Sequence, residues 1–554
     1  MILKEWEIWH TFASYFVHPI NDLEMAARNM VASGLIRSAF LDNGDYFWLD
    51  KSQVQKGHMD ITLGANLTEA LIKSKEELPD GYEGQVLMDS TYFRFVELQN
   101  YSRAKGFPPR YIRGHLGECV LISNDFTYLV YPIIKLFETG VILIEMRTIS
   151  PAENINLERF IEEYVNLFKK SWDNVLIPPG LRIAAQHAFA LTEKPKSQLL
   201  LKIASFWLDR EIRNNIKNNT VSDQHDGLEF QYIPLWDLEV LEKEKADKSK
   251  NQDPNYKPYT IYDLAKDIFH AVSITIPGLR QGKALLWKPN TPLAVGKATV
   301  GRSHVHLLKF QDQTTTAQQN HVRFKNQFGW IKAGAFEKRS SMGKQFLPPN
   351  DRMFSDYGAY ISENGSLWTW SKKGIASRIS KTTPRSVSLI FPNQVTCEML
   401  EYGYMLHRRM LESVGKVDTS ATALNSRESL VEVQDAISNI SGYGEIRDLL
   451  MRGWKAMGVD ELQKAISELI TIRHSETSAK EERRLVALQT VLTLVFGVLA
   501  IPSFSTGVVK PLWSWLNLWL PTDKNAAEVL LFLVALIVVE IPILLIAQSM
   551  LRRK

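Results

Sequence analysis

A chain of 554 residues with a formal net charge of only +4 lacks the basic excess of a nucleic-acid binder, so no direct contact with nucleic acid is expected. Its 45% hydrophobic and 23% charged residues are globular proportions, enough for two or three domains. Two cysteines, Cys119 and Cys397, argue against a disulfide framework and read as reduced thiols.

The opening MILKEWEIWHTF is too mixed in character for a signal peptide. Residues 1–170 read as an α/β domain. The runs Cys119–Ser123, Phe126–Ile134 and Val141–Arg147 are separated by short turn compositions, so their strands must be antiparallel. Leu157, Phe160, Ile161, Tyr164, Val165 and Phe168 then recur at helical spacing, which places a helix on that sheet.

Residues 171–395 read as a β-rich lobe of underivable topology. Leu241–Lys257 is a solvated insertion, Ile261–Ile274 a helix, His304–Phe310 a strand and Gln311–Asn320 a polar loop. YGAYIS and SLWTWS flank Asn364-Gly365, which predicts a hairpin with a type I′ turn. From 396 to 484 the pattern is a helical stalk. Helices are predicted over Met399–Leu411, Ser429–Ile440 and Glu445–Met457, with Gly458 as a stop. From Glu461 to Ala500 there is no Pro and a single Gly, Gly497, so one helix of roughly 60 Å can run through.

Two apolar runs, Leu485–Ile501 and Ala526–Ala547, fall within the last seventy residues. Their lengths predict a transmembrane hairpin over 485–554 with a basic tail. Lys480, Arg483, Arg484, Arg552, Arg553 and Lys554 flank it, while the loop carries only Lys510 and Lys524. By that charge bias both termini lie in the cytoplasm and the protein is multi-pass in the cell (inner) membrane, with Trp513, Trp515 and Trp519 at the interface. The expected fold class is an α/β cytosolic head with antiparallel strands, a long helical stalk and a two-helix C-terminal transmembrane hairpin.

A long helix that runs into a first apolar span, a short loop, a second span and a basic tail resembles the CorA-type magnesium-transporter superfamily. The likeness covers the layout of residues 396–554 and is strongest over 471–554. It implies a homopentamer whose first span lines a pore for permeant ions. The family's Gly-Met-Asn signature is absent: Ile501-Pro502-Ser503-Phe504-Ser505-Thr506-Gly507 stands in its place, so no residue inherits the Asn role. Divergent members include effectors of nucleotide-signalled antiviral (CRISPR-type) defence. The resemblance therefore also implies a channel opened by a small nucleotide ligand on the head, with a divalent-cation (magnesium) transporter and a membrane-anchored enzyme as alternatives.

Gln489, Thr493, Phe496, Gly497 and Ala500 share one face of the first run, which would line a pore or pack against a neighbouring helix. Glu540 is an intramembrane charge in the second run, either a structural partner of Gln489 or a proton or ion relay. His304 and His306 share a strand face without the Cys or carboxylate neighbours that would complete a metal set. No phosphate loop, nucleophile elbow or metalloprotease motif is present, so no catalytic residues, enzyme activity, cofactor or metal is expected.

Overall fold

The computed structural model describes residues 1–177, 233–234, 259–275, 299 and 301–552, with short interruptions in the first and last of these ranges. The expected insertion Leu241–Lys257 lies outside the described residues, as do Arg553 and Lys554. Two compact units emerge: Met1–Leu411 with Leu430–Ala465, and Glu412–Ser429 with Ile466–Lys554.

The first unit is built on one large sheet. Its main strands are β1 (Ile2–Tyr15), β2 (Ser38–Leu41), β3 (Asp45–Asp50), β4 (Gln53–Leu63), β5 (Ala70–Ser74), β6 (Tyr111–His115), β7 (Cys119–Ile122), β8 (Thr127–Phe137), β9 (Val141–Ile149), β10 (Arg302–Phe310), β11 (Tyr357–Ser362) and β12 (Gly365–Trp370). They lie in the order β11-β12-β10-β1-β9-β8-β6-β2-β3-β4-β5, and β7 pairs with β8. Neighbours are antiparallel except β10 and β12, which run parallel. The predicted strands around 119–147 are β7, β8 and β9, antiparallel as their short connections require.

Both faces of this sheet are covered, so β1 is buried along nearly its whole length rather than on alternate residues. One face carries Trp6, Ile8 and Phe12 of β1. It packs on helices α1 (Leu23–Ala32) and α3 (Ile261–Thr275) and on the turn region Leu157–Lys169. The opposite face carries Trp9, Ala13 and Tyr15. It packs on α2 (Gly84–Asn100), α5 (Phe391–Val414) and α7 (Gly444–Ala456). The helix expected over 157–168 is divided: α-helical to Phe160, π-helical over Ile161–Val165 and 3₁₀ over Leu167–Lys169.

Helix α4 (Ala317–Ala333) follows β10. Its N-terminus falls within the stretch expected to be loop, because Thr316 and Gln319 form a capping box. Gly334 ends it at a φ of +61°, the left-handed stop that glycine adopts without strain. The predicted hairpin is present as β11 and β12, but Ser362 pairs with Gly365, so Glu363 and Asn364 form the turn. Gly365 takes the positive φ, +117°, and Asn364 does not.

Beyond β12 the chain is helical, as its periodicity indicates. After α5 come α6 (Ser420–Ser438), α7 and α8 (Val459–Phe504, 46 residues). A π-turn over Ser505–Val509, the short helix α9 (Lys510–Trp515) and α10 (Lys524–Arg552) complete it. The second unit's small core joins Ile501 and Val509 to Leu531 and Ala535.

Among the described residues no helix is long and apolar enough to cross a membrane. This corrects the expected transmembrane hairpin over 485–554 and the fold class built on it. The multi-pass inner-membrane location with cytoplasmic termini is corrected with it. The first apolar run is one stretch of α8, preceded by Glu481, Glu482, Arg483 and Arg484 and carrying Gln489 and Thr493. Helix α10 opens on Lys524 and Asn525 and carries Glu528 one turn in. The observed class is a mixed α/β fold on a predominantly antiparallel sheet, continued by long helices.

Candidate functional site

On the α5 side of the sheet, charged residues lie fully buried between strands and helix. Arg113 of β6 donates to Glu398 of α5 at 2.7 Å and to Glu145 of β9 at 3.2 Å, with its guanidinium 3.5 Å from the Phe93 ring centroid. Lys135 of β8 donates to Glu398 at 2.7 Å and to Glu97 of α2. Gln394 donates to Glu145 at 2.5 Å and accepts from His306 at 3.2 Å. Three carboxylates thus face two cations. Burial, reinforced by repulsion from Glu398, pushes the Glu145 carboxyl up. Against its own burial, Arg113 and Lys135 hold Glu398 low. A proton retained on Glu145 leaves two carboxylates and two cations, which balances the cluster. It is a closed structural network, because every charge is spent on another.

The opposite face holds an open site. A cavity of about 270 Å³ is bounded by β10, β12, the end of α4 and the 165–169 turn. Asn166, Lys169, Ser303, Lys332, Asn364 and Ser366 are among the residues that line it. Lys332, in the last turn of α4, donates from Nζ to the Gly365 carbonyl at 2.6 Å. Among the described residues no carboxylate pairs with it, and the Lys169 ammonium lies 5.4 Å from the Phe168 ring centroid. Burial lowers the Lys332 ammonium to about 7, with the Cys397 sulfur pulling slightly the other way. Asn166 donates to the Gly334 carbonyl at 2.8 Å, which turns its Oδ1 inward, buried and without a partner. The wall therefore offers cations and an open acceptor.

Ser366 pairs with His304 across the sheet and shares its face. Its hydroxyl lies 2.8 Å from His304 Nδ1 and 3.3 Å from Cys397 Sγ, and accepts from Trp368 Nε1 at 2.8 Å. Glu401 accepts from Arg302 at 2.6 Å and stands 3.5 Å from His304 Nε2. Against burial, Cys397 and Glu401 lift His304 to about 9. His306 stacks on Trp368, and burial drops it to about 3. The two strand histidines thus share a face but serve different partners.

Gln489, Thr493, Phe496, Gly497 and Ala500 all lie on α8. Thr493 donates to the Gln489 carbonyl one turn back at 2.8 Å, and Phe496 is 66% exposed. Glu540 lies in α10, and its side chain is outside the described residues. The cavity residues were missed in the sequence because β10, α4 and the 165–169 turn converge only through the sheet order. Ser303 of this wall meets His10, 293 positions away in the chain. No family model matches this chain, nor does any curated protein or solved structure, so the CorA-type resemblance rests on the order of its helices alone.

Proposed function

We propose that the α/β unit is a receptor for a small phosphate-bearing ligand, of the size of a single nucleotide, which it holds in the β10–β12–α4 cavity. The observation that carries this reading is Lys332, a cation in the cavity wall with a backbone carbonyl as its partner and no described carboxylate. A buried ammonium without a counter-ion is costly, and an arriving phosphate would supply one. Lys169 adds a second positive charge at the rim, and Asn166 Oδ1 can accept from a ligand N–H or O–H. A concave wall with a few converging polar groups is the usual form of a small-molecule site. Thermal denaturation with nucleoside monophosphates, inorganic phosphate and uncharged nucleosides tests it. The phosphates should raise Tm with increasing concentration, as any ligand of the folded state does. An equal response to uncharged nucleosides would refute the role of Lys332.

A separate observation supports self-association. In the second unit Phe496, Trp515 and Trp519 are 66%, 80% and 79% exposed, amid further uncovered leucines and valines of α8 and α10. Water does not tolerate so continuous an apolar surface on a lone chain. We infer that copies of this chain cover one another there as a homo-oligomer. Light scattering of the purified protein checks this, and a monomer at working concentration would refute it.

A further inference from the structure

His10 of β1 stands opposite Ser303 of β10 in the antiparallel register, and both side chains lie on the cavity face of the sheet. Ser303 Oγ is 3.0 Å from His10 Nδ1, and His10 Nε2 is 3.1 Å from the Tyr164 carbonyl oxygen. A carbonyl only accepts, so Nε2 carries the ring proton and Nδ1 presents its lone pair to the serine hydroxyl. The ring is held in place by Phe168, whose centroid is 6.3 Å away. A longer contact, 3.5 Å to the Val165 carbonyl, is the weaker alternative for the same hydroxyl. Burial, aided by the nearby charge of His304 and opposed by the Tyr164 carbonyl, lowers His10 to about 4, so the ring is a free base at neutral pH.

Across the sheet, Ser303 pairs with Gly365, whose carbonyl takes the Lys332 ammonium. Nucleophile and cation therefore line one cavity, with the oriented base in contact with the nucleophile, as acyl transfer requires. We propose that Ser303 is a nucleophile activated by His10, and that the cavity cleaves small carboxylic esters. Ser303 Oγ would attack the ester carbonyl carbon as its proton passes to His10 Nδ1. The bond to the leaving alcohol then breaks, and His10 returns the proton to that oxygen. Water, deprotonated by the same nitrogen, attacks the acyl-serine, releases the carboxylic acid and restores Ser303. The sum is ester plus water giving acid plus alcohol, with no other reactant. Lys332 would face the oxyanion.

The proposal shares with the receptor reading only that this cavity admits a ligand. A fluorophosphonate probe at neutral pH, followed by peptide mass mapping, tests it on the folded wild-type chain, with the urea-unfolded chain as control. Modification of Ser303 in the folded chain alone is expected. The rate should fall about 100-fold in His10→Gln, the lower end of what a positioned base contributes. Ser303→Ala should lose both labelling and the release of nitrophenolate from p-nitrophenyl acetate. An unlabelled Ser303 in the folded wild-type chain overturns the proposal, whatever the variants do. So does labelling that is equal in the unfolded chain. Labelling without a phosphate-induced Tm rise would overturn the receptor reading and leave this one standing.

Discussion

Arg113 and Glu398, 285 positions apart in the chain, meet at 2.7 Å with both side chains fully buried. That contact ties the centre of the sheet to α5. It shares Glu398 with Lys135, so one carboxylate answers two cations. Glu398→Gln would leave both cations short of charge while keeping the shape. Uncompensated buried charge of this kind costs about 3–5 kcal/mol. The urea midpoint should fall accordingly, with the slope unchanged. An unmoved midpoint would mean that water reaches the cluster.

Stability should fall on the acid side of neutral pH. His10 and His306 are held neutral at about 4 and about 3, below the ordinary histidine value of about 6.5. A group lowered on folding contributes stability that is present above its unfolded value and lost as pH falls toward its folded value. His304, lifted to about 9, acts in the opposite sense: its contribution is present below about 6.5 and lost as pH rises through about 9. Lys332, lowered to about 7, opposes that alkaline loss, because its contribution grows as pH rises above about 7, so the clear decline in Tm should be on the acid side. His306→Gln should flatten the acid side, and an unchanged acid limb in that variant would contradict the assignment.

Gly365→Ala should damage both fold and cavity. A Cβ at this position would stand 2.2 Å from the Ser303 carbonyl oxygen, and the φ of +117° is one that L side chains rarely adopt. Strained backbone of this kind costs about 1–3 kcal/mol. Thermal denaturation should show the loss, and the phosphate-induced rise in Tm should shrink with it. A fully stable variant would mean that β10 and β12 can separate freely.

The hairpin about Gly365 shows how far the sequence was readable. Alternating aromatic and small residues announced both strands. The choice of Glu363-Asn364 rather than Asn364-Gly365 as the turn depends on β12 pairing with β10 across the sheet, which no local pattern encodes. Arg113, Lys135, Glu145 and Glu398 look like surface residues taken singly. Only the order β9-β8-β6, with α5 laid across it, places them inside. The periodicity of 396–504 gave the helices well, since contacts between near neighbours set it. The apolar runs of the tail lie within α8 and α10, and among the described residues neither helix is long and apolar enough to cross a membrane. His10, Ser303 and Lys332 left no local signal, because three separate segments must meet before they mean anything.

Ligand binding should carry a proton with it. Lys332 is held near 7, and a phosphate beside it would raise that value, so binding at or above neutral pH takes up a proton from the buffer. Calorimetry in buffers of different ionisation enthalpy should give heats that differ by that uptake. Equal heats in all buffers would mean that the ligand does not approach Lys332.

Calorimetric titration of a nucleoside monophosphate into wild-type protein and Lys332→Met tests the cavity reading most directly. Saturable binding to the wild-type chain is expected, weakened about tenfold or more in the variant, the equivalent of ~1.4 kcal/mol for a lost charge-assisted contact. No measurable binding to the wild-type chain, or equal affinity in the two proteins, would contradict it.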